Sequence, residues 1–267
     1  MPTPLVALTV AGVDSAGGAG VHADLRAFAA LGLHGATAVA ALTAQSTRGV
    51  EAVQLVPPAF VAAQLDAVLG DLDVRATKTG FLGSVGTVEV VADAAAAGRL
   101  AALVVDPVLV AATGVRLFDE SVERAYARDL LPRARVATPN RVEASLLVGR
   151  ELRTVGDMEA AAVDLLDLGV EAVVVKGGDA DDEGDRSVDV LATRAGVERL
   201  ALPMVDTPND HGTGCTFAAA TAAGLARGQD VPDAVRAAKA FVHRALVGAR
   251  HWRLGAGHGP VDAFGWG

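Results

Sequence analysis

The stretch Asn209-Asp210-His211-Gly212-Thr213-Gly214-Cys215-Thr216-Phe217 holds the chain's single cysteine, behind two glycines and ahead of an alanine-rich run. Glycines at 212 and 214 free the backbone to turn sharply, and the alanines that follow favour a strong helix. Unpaired amides at the start of such a helix attract an anion. Cys215 falls in the first turn, where the helix field is expected to lower a thiol pKa and make the thiolate accessible near neutral pH. An anion hole and a base in one segment imply phosphoryl transfer. The amides of Gly212, Thr213, Gly214 and Cys215 would hold the moving phosphoryl group while Cys215 takes the proton of an attacking hydroxyl. A small buried packing residue is the second reading of Cys215. A covalent nucleophile is a third and less economical one: it wants a paired histidine, and His211 lies on the approach loop.

Four further clusters carry polar groups. Residues 11–20, AGVDSAGGAG, lack the Lys-Ser or Lys-Thr of a P-loop and the dinucleotide spacing; they offer a pliable backbone for a small ligand, or a plain turn. In TAQSTRG (43–49), the Gln45 amide donates and accepts at once, which suits the edge of an aminopyrimidine, although a loop residue satisfied by nearby backbone reads the same. Asp106 closes LVVDPV, where a carboxylate can position a hydrated cation or fix the next turn. Asn140 and Glu143 stand three apart at a helix start, as oxygen ligands for magnesium or as a capping box. Lys176, followed by two glycines, offers a positive charge beside a backbone a nucleotide could approach; a surface salt bridge is its plainer role.

The elements that must position these groups follow from hydrophobic patterning. Continuous apolar runs at 5–10, 36–42, 101–106, 135–138 and 171–177 predict strands buried on both faces. Helical stretches at 21–32, 58–71, 85–98 and 157–169 lie between them, so a mainly parallel sheet covered on both sides is expected. Residues 186–202 alternate apolar and polar side chains about an Arg-Ala-Gly turn, which predicts an antiparallel hairpin at the sheet edge. Two helices, 212–228 and 231–252, close the chain. In an open parallel sheet, ligands collect beyond the carboxyl ends of the strands, and the polar clusters fall there. The acidic run at 179–185 reads as a solvated loop rather than a cation site.

Composition limits the partners. The 267 residues suit one domain, 1–267; hydrophobic residues make up 51% and aromatic ones 4%, so the core is expected to be built from small aliphatic layers. A net charge of −9 with no basic stripe argues against nucleic acid. One cysteine cannot form an intrachain disulfide, which agrees with a reducing cytosol. The first apolar run lacks a positive leader and is interrupted at Asp14, so a soluble cytoplasmic protein with no membrane partner is expected.

Taken in order, AGVDSAGGAGVHADL, TAQSTRGV, KTGFLGS, VVDPVLVAATG, TPNRVEASLL, VVVKGGD and NDHGTGCTFAAA resemble the hydroxymethylpyrimidine and phosphomethylpyrimidine kinases of thiamine biosynthesis, members of the ribokinase-like superfamily, over nearly the whole chain. The resemblance implies a three-layer α/β/α fold and an ATP- and Mg2+-dependent kinase. Its substrates would be 4-amino-5-hydroxymethyl-2-methylpyrimidine and the monophosphate. By position, Gln45 would bind the pyrimidine, with Gly12, Asp24 and Phe81 lining the pocket. Gly212, Thr213 and Gly214 would form the anion hole, and Cys215 would replace the aspartate base of sugar kinases. Asp106, Asn140, Glu143 and Lys176 would serve phosphates and cation. A homodimer is expected by analogy. Three positions depart from the pattern: Phe81 where methionine is usual, Asp179 where histidine is usual, and Asp210 in place of threonine. Pyridoxal or pyridoxine kinase activity and non-catalytic pyrimidine sensing are the alternatives.

Overall fold

The computed structural model describes residues 3–110, 120–178, 180 and 184–267. The strands are β1 (Val6–Val13), β2 (His34–Ser46), β3 (Gly49–Leu55), β4 (Val74–Thr79), β5 (Val104–Val105), β6 (Val136–Ala137), β7 (Ala172–Val175), β8 (Arg186–Thr193) and β9 (Gly196–Pro203). They form one sheet in the order β3-β2-β1-β4-β5-β6-β7-β8-β9. From β2 to β7 every pairing is parallel, and β3, β8 and β9 add antiparallel edges. Chain order reverses between β1 and β4, and a crevice outside the carboxyl ends of such strands is where ligands gather.

Helices cover both faces. On one side lie α2 (Pro58–Leu69), α3 (Val85–Ala96), α4 (Glu120–Ala125), α5 (Arg141–Val148) and α6 (Val155–Leu166), around a core that includes Leu8, Leu65, Val91, Tyr126 and Met158. On the other lie α1 (Gly20–Ala30), α7 (Thr213–Ala226) and α8 (Val231–Ala249), around Phe28, Phe217 and a bed of alanines. This is the expected three-layer arrangement. Every residue of α7 from Thr216 to Ala226 is buried, because its alanines let α1, α8 and the sheet approach closely. Among the described residues no helix is long and apolar enough to cross a membrane.

The five apolar runs are all strands, although β5 and β6 are only two residues long. The edge hairpin is β8 and β9, paired from Arg186↔Pro203 to Thr193↔Gly196. Two strands went unread. In β3 nearly every residue is exposed, so no apolar face announces it. In β4, Val-Arg-Ala-Thr-Lys-Thr, charged and hydroxyl residues hide a strand that lies between β1 and β5. The last helix stops at Ala249, short of the expected 252. Of the acidic run, residues 179 and 181–183 lie outside the described residues, and so does the end of the motif at 111–114.

Lys78 of β4 is fully buried and its ammonium stands 2.9 Å from Asp24 of α1, equally buried. Thr9 of β1 donates its hydroxyl to the same Asp24 oxygen at 2.6 Å. Burial alone would lower the Lys78 pKa, but the charges of Asp24, Cys215 and Asp106 outweigh it and raise it. Removing one member of such a pair strands the other charge in the interior. Lys78→Met is expected to cost about 3–5 kcal/mol of unfolding free energy. The double variant Lys78→Met/Asp24→Leu should recover part of it, both measured by urea denaturation.

Candidate active site

The chain enters α7 through a backbone that only glycine can make. Gly212 caps the helix at φ 85°, and a Cβ there would run into the carbonyl oxygen of Gly18. The starts of α1 and α7 are therefore pressed together, both opening at the carboxyl edge of the sheet. Two residues on, a Cβ at Gly214 would stand 3.0 Å from the Lys176 ammonium and 3.9 Å from an oxygen of Asp106. Even an alanine there would require the lysine ammonium to give by a few tenths of an ångström, so glycine at 214 lets it lie close to the helix start.

Lys176 leaves β7 and pairs with Asp106, beyond β5, at 2.7 Å. The lysine side chain is 13% exposed and the aspartate 3%, which excludes the surface salt bridge considered for Lys176. Thr138, beyond β6, donates to the same Asp106 oxygen at 3.1 Å. Asn140 and Glu143 form the capping box of α5: the Asn140 side chain accepts from the Glu143 amide at 2.9 Å, and Glu143 accepts from the Asn140 amide at 2.8 Å. Glu143 is buried, and burial pushes its carboxyl up to about 8, with Asp106 adding to the rise and Lys176 opposing it. With its carboxyl raised this far, Glu143 is mostly neutral beside the Asp106–Lys176 pair, and a divalent cation would favour its ionised form and so fits this pair of acids. Among the described residues, no group of three or more His, Cys, Asp or Glu side chains could hold one alone, so phosphate oxygens or waters would have to complete its shell. Behind Lys176, the Gly177 amide donates to Asp189 at 2.9 Å, and Lys239 holds the other Asp189 oxygen at 2.9 Å. This pair anchors the glycine loop from below.

The second half of the site belongs to β1, β2 and β4. A Cβ on Gly12 would stand 3.1 Å from the Phe81 ring and 3.7 Å from Ala41, so glycine there admits the ring. Asp24 lies beneath, and its Oδ1 is a buried atom without a hydrogen-bond partner. Gln45, next to last in β2, is half-buried, 3.1 Å from His211. Asp14 organises the glycine loop after β1: it accepts from the amides of Ala16, Gly18 and Ala19 at 2.8–2.9 Å and from His211 at 2.9 Å. Burial would raise the Asp14 carboxyl, but the hydrogen bonds from His211, Ala19 and Ala16 win and hold it below its ordinary value. The loop is a tied turn. Asp210, which adds charge before the helix start, faces outward and pairs with His258 at 2.8 Å.

Cys215 is half-buried among these groups. Its thiol departs from expectation: burial pushes it up to about 11, and the nearby charges of Asp24 and Asp106 raise it further, against Lys78 and the Gly20 amide that lower it. The helix start therefore does not prevail over desolvation, and the thiol is protonated at neutral pH in the free protein. The sequence reading brought Gly12, Asp24, Gln45, Phe81, Asp106, Lys176 and Gly212–Cys215 to one edge, and the structure does the same. It missed Lys78, Asp14 and the role of His211. Lys78 stands two residues before Gly80-Phe81-Leu82-Gly83, in a stretch whose Arg75, Thr77 and Thr79 give no apolar strand signal. Concavities elsewhere, one at the amino edge lined by Asp73, Arg75 and Arg135 and one lined by residues of α2 and α3, gather no comparable set of polar groups.

A mainly parallel sheet whose carboxyl edge carries a glycine-led helix start against a buried lysine defines a kinase of ribokinase-like fold. The chain belongs to the phosphomethylpyrimidine kinase family, whose profile matches residues 14–262. It is 44% identical to the hydroxymethylpyrimidine/phosphomethylpyrimidine kinase of Rhizobium meliloti (strain 1021), covering 97% of each chain. Among solved structures, phosphomethylpyrimidine kinase from Clostridium difficile 630 superposes with a TM-score of 0.81 at 32% identity, over 91% of this chain and 99% of that one. Pyridoxal kinase from Staphylococcus aureus in complex with ADP superposes with a TM-score of 0.90 at 34% identity, over 99% and 95%.

With the thiol near 11, Cys215 alkylation by iodoacetamide should be slow at pH 7 and accelerate about tenfold per pH unit through pH 9. A rate that levels off between pH 7 and 8 would mean that the helix start prevails after all.

Proposed function

We propose that the chain transfers the γ-phosphoryl group of ATP to the hydroxymethyl group of 4-amino-5-hydroxymethyl-2-methylpyrimidine, and then phosphorylates the monophosphate to the diphosphate for thiamine biosynthesis. The observation that carries this reading is the packing of Gly214 against Lys176 and Asp106, with Cys215 one residue further on. The amides of Gly212 and Gly214 stabilise the charge spread over the travelling phosphoryl group, whereas the Thr213 amide expected beside them donates to the Asp210 carbonyl at 3.3 Å; Lys176 adds a fixed positive charge at the flank. Mg2+, held through Asp106 and Glu143, would neutralise the phosphate oxygens. Asn140 shapes this end through its cap on α5, and the Gly177 and Gly178 backbone borders the nucleotide. Gln45, with Gly12, Phe81 and Asp24, receives the pyrimidine.

Cys215 removes the hydroxyl proton. Because its thiol starts protonated, this base role requires a lowered pKa in the loaded site. Neutralising Asp106 with a cation removes one of the charges that raise it, while Lys78 and the Gly20 amide keep favouring the thiolate. In a loose transition state the alcohol loses its proton late, so the thiolate is needed only as the phosphoryl group arrives. A second copy of the chain is the expected partner, and the apolar side chains of Leu42, Val50, Val53 and Leu55, exposed on the β2–β3 hairpin, support a homodimer. The cytoplasm is the expected location.

Pyridoxal is the competing substrate, supported by the likeness to pyridoxal kinases. Turnover of the aminopyrimidine should exceed that of pyridoxal at equal concentration, with mono- and diphosphate products identified by mass spectrometry. A clear preference for pyridoxal reverses the assignment, and binding of the pyrimidine without ADP release would make the chain a sensor. Cys215→Ala should keep the fold and lower the first phosphorylation by roughly two to four decades; unchanged turnover would reduce the thiol to packing.

A further inference from the structure

His211 Nε2 has two neighbours at hydrogen-bond distance: Asp14 Oδ2 at 2.9 Å and Gln45 Nε2 at 3.1 Å. They make incompatible demands. The Asp14 oxygen already accepts the Gly18 and Ala19 amides, both at 2.9 Å, and so acts as an acceptor, which requires a hydrogen on His211 Nε2 in either charge state of the ring. A nitrogen that carries a hydrogen cannot also accept one from the Gln45 amide. The far end of the amide meets a related condition. Gln45 Oε1 stands 3.1 Å from Thr43 Oγ1, yet the single Thr43 hydrogen has a closer acceptor, the Val13 carbonyl oxygen, at 2.9 Å. The two ends of a primary amide have nearly the same shape, so the surrounding hydrogens decide which end is oxygen. Turning the amide over removes both conflicts: Oε1 becomes the second acceptor, at 3.1 Å, of the one His211 hydrogen whose nearer acceptor is Asp14 at 2.9 Å, and Nε2 donates to Thr43, whose own hydrogen goes to Val13.

We propose that Asp14 and His211 order the hydrogens around Gln45, holding its amide oxygen toward His211 and its NH2 toward Thr43, so that His211 is a positioning residue for the group that reads the substrate. The order runs in one direction, starting from the single His211 hydrogen, shared between Asp14 and Gln45, and continuing from Gln45 through Thr43 to the Val13 carbonyl. It leaves Gln45 one N–H and one carbonyl lone pair, both on an amide that can no longer spin. A ring edge with an amino donor beside a nitrogen acceptor satisfies both; a pyridoxal ring lacks that amino donor. The close fit of the histidine supports the fixed orientation, since a Cβ on Gly18 would overlap its ring. The backbone of Gln45 is fastened as well: its amide and carbonyl both bond the Ser15 hydroxyl, each at 2.8 Å. The functional half of this inference rests on Gln45 reading the pyrimidine.

The test combines spectroscopy and kinetics. Long-range 1H–15N spectra of 15N-histidine-labelled protein, with His211 assigned by its loss in His211→Gln, should show a hydrogen on Nε2 throughout the stable pH range. An Nε2 without one overturns the proposal. His211→Phe should raise KM for the aminopyrimidine roughly tenfold or more, leave KM for ATP unchanged and reduce the preference over pyridoxal. His211→Gln, which keeps a donor to both acceptors, should recover most of the loss. Asp14→Asn, which releases the constraint on the tautomer, should reproduce the effect of His211→Phe in milder form. Equal increases in both KM values without rescue by glutamine would mean a structural role and overturn it. Gln45→Ala separates the two layers: an unchanged pyrimidine KM removes the reading of Gln45 itself, whereas a raised KM with no effect at positions 14 and 211 removes only the ordering.

Discussion

The site depends on how closely the start of α7 can approach the sheet. Its alanines allow burial on all sides, and glycine at 212 and 214 removes the two side chains that would keep it away from Gly18 and from Lys176. Helix amides, the lysine ammonium and the Cys215 sulfur are thereby held on rigid elements, which is where preorganised charge stabilisation is most effective. The loop after β1 depends on the same contact, because it carries the carbonyl that Gly212 meets.

Charge is the second constraint. Asp24, Asp106 and Glu143 are buried at one edge of the sheet, and Lys78 and Lys176 are the buried cations set against them. In this arrangement the thiol is raised rather than lowered, and Glu143 is pushed up to about 8. Both shifts have the same leading cause, desolvation by burial, which the facing lysine opposes and neighbouring carboxylates reinforce. Cation and nucleotide binding would alter that balance directly, which couples the ionisation of Cys215 to the presence of its reaction partners.

Much of this was legible in the sequence because parallel strands buried on both faces must be continuous apolar runs, and polar residues at their carboxyl ends must fall together. Gln45, Asp106, Asn140 and Lys176 could be placed by that rule alone. Lys78 could not, since its strand reads as polar until the partner Asp24, 54 residues away, is brought opposite it. His211 was noticed only as a possible companion of the thiol. Its bonds to Asp14, 197 positions distant, and to Gln45 depend on the abutting starts of α1 and α7, which no local pattern encodes. The thiol pKa was misjudged for a related reason: the helix start is a local signal, but burial and the two carboxylates come from other parts of the chain.

Fold likeness alone cannot choose between the pyrimidine and pyridoxal, because the chain superposes well on kinases of both kinds. In the proposed reading, phosphoryl transfer falls to the helix start, Lys176, Asp106 and Glu143, and the heterocycle to Gly12, Phe81 and Gln45. Choice between rings must therefore arise at the β1–β2–β4 end, where Gly12, Phe81 and Gln45 meet. A ring edge that leaves a buried amide carbonyl or N–H unpaired loses about 1–3 kcal/mol, enough for a preference of one to two decades. That penalty applies only if the amide is prevented from turning to suit the alternative ring, so selectivity at Gln45 requires a neighbour with a fixed hydrogen, and His211 held by Asp14 is such a neighbour.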